Sequence, residues 1–167
     1  MKRFALLATV LLAALPLASQ ESAPHAPAPP RHFYRLNYVL KETEEGKVVN
    51  RRSFSLTSSS GDHFNPRLRA GSRFPVRDAE KVNYIDVGVN LDSHLDEGPD
   101  GPVVEVTAEI SSPATEPTGS SASPVIRQVR TNALAIVALN KPITLFTIDD
   151  PASHHRFELE VTATPQH

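Results

Sequence analysis

Tyr84-Ile85-Asp86-Val87-Gly88-Val89-Asn90-Leu91 alternates without a break. Ile85, Val87, Val89 and Leu91 fall on one side, and Tyr84, Asp86, Asn90 and then Asp92 on the other. A period of two is the pattern of a β-strand with one buried face. Residues 103–111 repeat it, with Val104, Val106, Ala108 and Ile110 set against Glu105, Thr107 and Glu109. The two stretches are predicted to pair as antiparallel neighbours, with Val87, Val89, Val104 and Val106 buried on one face.

The same period spreads outward from this pair. In residues 32–41, Tyr34, Leu36, Tyr38 and Leu40 alternate with Arg35, Asn37 and Val39. Residues 48–57 alternate around Phe54 and Leu56 after a hairpin loop at 42–47 that contains Gly46. Residues 125–139 place Val125, Val129, Ala133, Ala135, Val137 and Leu139 together. Asn140-Lys141-Pro142 then turns the chain into 143–148, and Phe157, Leu159, Val161 and Ala163 form the last apolar row. Ser58–Asp62 and Glu97–Pro102 read as turns, rich in Ser, Gly, Pro and Asp. No period near 3.6 persists beyond the N-terminus. The predicted fold is all-β: a mainly antiparallel sandwich or partly open barrel of about seven to eight strands.

Composition narrows the partners. The chain has 167 residues, enough for one domain, with 17 basic and 19 acidic groups. That balance supplies no broad basic field for nucleic acid. Cysteine is absent, which removes disulfides, thiolate metal sites and thiol nucleophiles together. Fifteen prolines without a G-X-Y period exclude collagen. No cofactor motif is present.

The N-terminus reads as an export address. Lys2 and Arg3 precede an apolar run from Phe4 to Leu15, broken only by Thr9 and followed by small residues. Such a run is too short to cross a membrane and has the layout of a secretory signal peptide, assigned to residues 1–19. No other segment is long enough for a transmembrane helix. Removing residues 1–19 takes away two basic groups and leaves 15 against 19 acidic. Residues 20–31 carry four prolines and read as an extended tether to a single β domain over 32–167. Within it, the Ser-, Thr- and Pro-rich stretch 111–124 reads as a long flexible loop.

One family likeness rests on particular residues. Val82-Asn83-Tyr84-Ile85-Asp86-Val87-Gly88-Val89-Asn90-Leu91, then Val103 to Ser111, then Pro124-Val125-Ile126-Arg127-Gln128, Ala133 to Leu139 and Asn140-Lys141-Pro142 follow in order. This sequence of strands resembles the core of the bacterial outer-membrane secretins, over residues 82–145. Phe146-Thr147-Ile148-Asp149-Asp150 stands where those proteins carry a glycine-rich hairpin, and their N-terminal ring domains have no counterpart. The resemblance implies a strand order and a cell-envelope setting.

Candidate sites are few. Arg67, Arg69, Arg73 and Arg77 stand at even separations, so an extended segment puts them on one face. Such a stripe suits an anionic sugar, a phosphate or an acidic partner strand. A solvated edge strand, guarded by charge and by Pro66 and Pro75, accounts for the same residues and is the favoured reading. Asp149, Asp150 and His154, with His155, are residue types that ligate divalent cations. Asp-Asp-Pro is equally a turn opening, and on that reading 143–148 folds back against 156–164 with no metal centre. Asp92, His94, Asp96, Glu97 and Asp100 lack the spacing of a calcium loop and read as an acidic hairpin tip. Glu105 and Glu109 share a strand face about 13 Å apart at ~3.3 Å per residue, too far for paired glycoside hydrolysis. No catalytic residue is assigned.

The expected function is therefore a non-enzymatic, secreted or periplasmic binding or assembly module of the cell envelope. Its expected partner is an envelope protein or a polysaccharide. Two alternatives stay open: a ligand-binding domain or enzyme acting on polysaccharide, and a secretin-like envelope oligomer.

Overall fold

A computed structural model describes residues 31–61, 65–78, 81–113, 126–151 and 153–166. The signal peptide, nearly all of the tether and most of the 111–124 loop lie outside them. Eight strands form in chain order: β1 (Phe33–Glu44), β2 (Lys47–Ser59), β3 (Arg67–Asp78), β4 (Lys81–Gly98), β5 (Gly101–Pro113), β6 (Ile126–Ile136), β7 (Ile143–Asp149) and β8 (His155–Gln166). One sheet has the order β2-β1-β8-β7 and the other β3-β4-β5-β6, and every pairing is antiparallel.

Each strand therefore follows its predecessor around the molecule, except where the chain changes layer between β2 and β3 and between β6 and β7. Those are the two open seams, with β6 beside β7 and β2 over β4. The all-β sandwich expected from the alternation is what forms, and among the described residues no barrel closes.

Alternation dictates the core. Leu36, Tyr38, Leu159 and Val161 from one sheet meet Val89, Leu91, Leu95, Val104 and Val106 from the other, all essentially inaccessible. Burying a side chain of this size contributes roughly 1.5–3 kcal/mol. Two polar groups lie among them, the Tyr38 hydroxyl and Ser93 Oγ, 2.6 Å apart across the layers. Each satisfies the other, which removes the desolvation penalty of leaving either alone. Burial pushes the Tyr38 phenol up to about 12.

Several loop readings need correction. The hairpin at 42–47 is a two-residue turn, Glu45-Gly46, with φ of 50° and 79°. That geometry matches strand twist and asks for glycine at its second position. Glu97–Pro102 is not a loop: β4 runs to Gly98 and β5 starts at Gly101, leaving only Pro99-Asp100 between them. Ser58–Asp62 is not an exposed turn at its start, because Ser58, Ser59 and Ser60 are buried. The Ser60 amide donates to the His32 carbonyl, and the His32 amide donates to Ser60 Oγ. Ser111–Pro113, read as the start of a loop, belong to β5, and the rest of that stretch lies outside the described residues. Leu139, grouped with the inward row, is 40% exposed beyond the end of β6.

Candidate interaction surface

The predicted β4–β5 pairing forms, with Val87, Val89, Val104 and Val106 all buried. It covers less of β4 than expected. Pairing runs only from Val89↔Ile110 to Gly98↔Gly101, whereas β3 pairs with β4 from Arg67↔Asp92 to Asp78↔Lys81. Residues 71–78 and 81–88 thus continue past the sandwich as a two-stranded ribbon.

Gly71 and Gly88 stand opposite each other at its root. A Cβ on Gly71 would lie 2.1 Å from the Val87 carbonyl oxygen, and one on Gly88 2.3 Å from that of Ala70. The backbones are closer than any side chain permits, and Gly88 has φ +149°. The Gly88 amide donates to Ser111 Oγ, 3.0 Å away, where β4 leaves β5.

The ribbon carries apolar side chains into solvent. Tyr84 is 63% exposed, Val82 48% and Phe74 38%. Tyr84 and Val82 lie on the outer row, opposite Pro75 and Arg77, and Phe74 lies opposite Ile85 on the other row.

The arginine stripe exists, and β3 is the edge strand expected of it. Arg67, Arg69 and Arg73 share the outer row opposite Asp92, Asn90 and Asp86, and Arg77 has Val82 as its register partner. Arg69 binds Asp92 Oδ1 at 2.7 Å, with Arg67 3.9 Å from the same atom, and Arg73 binds Asp86 Oδ1 at 2.9 Å. Asp86 holds the Arg73 guanidinium above its usual range. Three of the four arginines thus face acids on β4. Ion pairs this exposed add little stability, and they set a carboxylate against each of Arg67, Arg69 and Arg73. Asp92, His94 and Asp96 are not a hairpin tip but the outer row of a central strand. His94 Nε2 lies 3.0 Å from Asp96 Oδ2, and its Nδ1 lies 2.8 Å from Asn65 Oδ1.

At the opposite end, β7 and β8 fold back on each other with Asp149 opposite Arg156. Two bonds, of 2.6 and 3.2 Å, tie the Asp149 carboxylate to Arg156, which holds it below the usual carboxylate range. Asp150 Oδ2 accepts from Ser153 Oγ at 2.7 Å, and the Asp150 amide donates to the His155 carbonyl. His155 Nδ1 lies 2.7 Å from Glu42 Oε1, while His154 is exposed. Among the described residues no three His, Asp or Glu side chains converge as metal ligands would. Added zinc or calcium should leave the thermal midpoint unchanged within error. A micromolar site would add roughly 2.7 kcal/mol at a hundredfold excess over Kd, so a rise that Asp149→Ala abolishes is the contrary result.

A constellation missed in the sequence joins the layers beside the β4–β5 turn. Glu97 Oε1 accepts from the Tyr34 hydroxyl at 2.7 Å and lies 2.7 Å from His32 Nδ1. Burial and the neighbouring Glu97 push the Tyr34 phenol up to about 12. The Tyr34 hydroxyl, against the opposing effect of burial, holds the Glu97 carboxyl below its usual range with help from His32. The arrangement clamps β4 to β1. Ser60 Oγ, which accepts from the His32 backbone amide, also lies in reach of Glu97 and helps to hold its carboxyl down.

Recesses on the surface are wide and open. One of about 450 Å³ lies over Gly71 and Gly88, flanked by Arg69, Arg73 and Asp86. Another of the same size lies by Thr43, Gly46 and Arg156. A more enclosed one, between Leu40, Arg52, Ile110 and Phe157, holds only about 30 Å³. Ligand pockets of ~300–1,000 Å³ bury most of the ligand, which an open saddle does not do.

No family model matches the chain, and no curated protein matches it. Solved structures it resembles include secretins, the family likened above to residues 82–145. The Klebsiella pneumoniae type II secretion outer-membrane complex of PulD, PulS and PulC is 12% identical at a TM-score of 0.48. That match covers 82% of this chain and 38% of that one. The Salmonella SPI-1 injectisome secretin InvG is 9% identical at 0.48, covering 82% and 63%. The E. coli K12 secretin GspD is 11% identical at 0.43, covering 82% and 48%. The chain thus spans between 38% and 63% of these structures' length.

Proposed function

We propose that the protein is an exported, non-enzymatic β-domain that serves as a binding or assembly module in the bacterial cell envelope, with the β3–β4 ribbon as its contact element. The carrying observation is the ribbon: it leaves the sandwich with Phe74, Val82 and Tyr84 exposed. Aromatic residues held rigidly on a projecting ribbon suit an interface core. The signal-like N-terminus supports export to the periplasm or beyond, where an envelope protein would be met.

Against a catalytic role on polysaccharide stands the pairing of the acids. Asp86, Asp92 and Asp149 each bind an arginine, and Glu97 is occupied by Tyr34 and His32. A secretin-like barrel wall would need an outward apolar band. The outer rows carry Arg35, Lys41, Glu158 and Glu160 on one sheet and Arg69, Asp92, Glu105 and Arg130 on the other, and the exposed Leu134 and Ile136 on β6 stand among such charges rather than in a continuous band. Lys41 Nζ bridges Glu158 and Glu160 at 2.9 and 2.7 Å.

The test is a triple substitution, Phe74→Ser, Val82→Ser and Tyr84→Ser, in the exported chain. All three are solvent-facing, so stability should change by about 0.5 kcal/mol or less at each site. Cross-linking in intact cells should give a discrete higher-mass species with the natural chain and at least a tenfold lower yield with the variant. Equal yields from a folded variant would refute the ribbon as the contact element.

A further inference from the structure

The ribbon has two backbone edges, and they differ. The free edge of β3 is guarded by Pro75, which has no amide to offer, and by Arg67, Arg69 and Arg73. Prolines and charges at an edge are the ordinary defence against unwanted strand pairing. The opposite edge, along residues 81–88 of β4, carries no proline, and its exposed outer row begins with Val82 and Tyr84.

Hydrogen-bond direction can be assigned along that edge. In an antiparallel ladder, alternate residues point both amide and carbonyl to the same neighbour. The Gly88 amide points to the β5 side, since it donates to Ser111 Oγ. The β3–β4 register is unbroken from Asp92 to Lys81, so Asp86, Tyr84 and Val82 point the same way as Gly88. Pro75, opposite Tyr84, agrees: its missing amide is one that faces away from β4. Among the described residues no strand pairs with this side of 81–88, because β5 diverges at Ser111 to pair with β6 alone. Three amides and three carbonyls therefore line an open edge about 25 Å long at ~3.3 Å per residue.

We infer that residues 81–88 of β4 are a docking edge that takes an extended segment of another polypeptide as an added strand. This rests on the binding-module reading and names the partner's form. The edge offers main-chain partners for affinity and alternate side chains for selection. A matching strand sets apolar residues opposite Val82 and Tyr84 and a basic residue opposite Asp86, whose carboxylate is 78% exposed. A second copy of this chain matches poorly. Antiparallel self-pairing centred on Tyr84 sets Val82 against Asp86. The register that sets Val82 against Tyr84 pairs only residues 81–85.

The probe is a synthetic eight-residue peptide that alternates valine with threonine, with lysine in place of the valine opposite Asp86. Its control is the same peptide N-methylated at alternate amides. In the full mature chain, the Val82, Tyr84 and Asp86 amides should exchange with solvent rapidly, and the peptide should slow them at least tenfold. The N-methylated peptide should not. Tyr84→Pro deletes an amide that β3 does not use, and should weaken peptide binding at least tenfold. Amides already protected in dilute free protein, or equal binding of the N-methylated peptide, would overturn the inference. So would protection that rises with protein concentration alone, which would make the occupant a second copy. If the serine triple variant loses its cross-linked species while no peptide protects the edge, the module reading stands and the strand-addition inference fails.

Discussion

Val106→Asp is expected to strip away much of the domain's stability and to lower its thermal midpoint sharply. Val106 is fully buried in β5, with Ser93 on β4 and Ala133 on β6 as its register partners. The nearest polar side chain among those partners, Ser93, is already committed to the Tyr38 hydroxyl. A carboxylate there either stays charged without a partner or takes up a proton to become neutral, and either outcome costs on the order of 4 kcal/mol. A domain of this size has about 5–15 kcal/mol in all, so that loss consumes much of it. The control is Glu105→Ala, one residue away and pointing to solvent, which should shift stability by no more than about 0.5 kcal/mol. Thermal melting followed by far-ultraviolet circular dichroism separates the two. An unchanged midpoint in Val106→Asp would mean that the inward face of β5 has been misassigned.

The inward faces were legible because the period-two signal is local and strong. Leu36, Val106, Leu159 and Val161 are each flanked on both sides by polar or charged residues, and all four are buried. Partner choice was legible where a short turn fixes it, as between β7 and β8, since Pro151 cannot extend a ladder. Strand ends were not. Pro99-Asp100 needs only two residues to reverse the chain, yet the Gly- and Pro-rich stretch around it looks like a longer loop. The ribbon was hidden for a different reason. From Ile85 the alternation runs on into 89–95 in one phase, so that phase does not say that β5 accompanies only the second part; the apolar Val82 and Tyr84 on the other row were the local sign of a change. The clue was Gly88, a residue without a side chain inside an otherwise apolar-polar alternation, with Gly71 at the matching place on β3. For the arginines, spacing gave the common row but not the neutralising acids, because Asp86 and Asp92 lie on another strand whose register the spacing does not fix. The Glu97 clamp was equally nonlocal: its partners Tyr34 and His32 are more than sixty residues away.

Gly88→Ala should be the most damaging single-methyl change in the chain, and its damage should be confined at first to the ribbon. Two independent causes act together. A φ of +149° is a conformation that residues with a Cβ rarely adopt, at a cost of about 1–3 kcal/mol. The new methyl would also sit 2.3 Å from the Ala70 carbonyl oxygen and 2.4 Å from Gly71 Cα, both of them backbone atoms unable to rotate away. Gly46→Ala isolates the first kind of cost. Its φ is +79° and nothing lies within 4 Å of the added methyl, so about 1 kcal/mol is expected there. In Gly88→Ala the cheapest relief is to part β3 from β4 beyond residue 88, since the strands there have no third neighbour among the described residues to hold them. Hydrogen exchange should therefore show residues 71–78 and 81–88 losing protection at the amides that face one another, while Val104, Val106 and Leu159 keep theirs. Because the ribbon is the proposed contact element, the cross-linked species should be lost in a variant whose sandwich is still folded. Full protection of the Ile85 and Val87 amides in Gly88→Ala would show that the glycine pair is not what holds the ribbon in place.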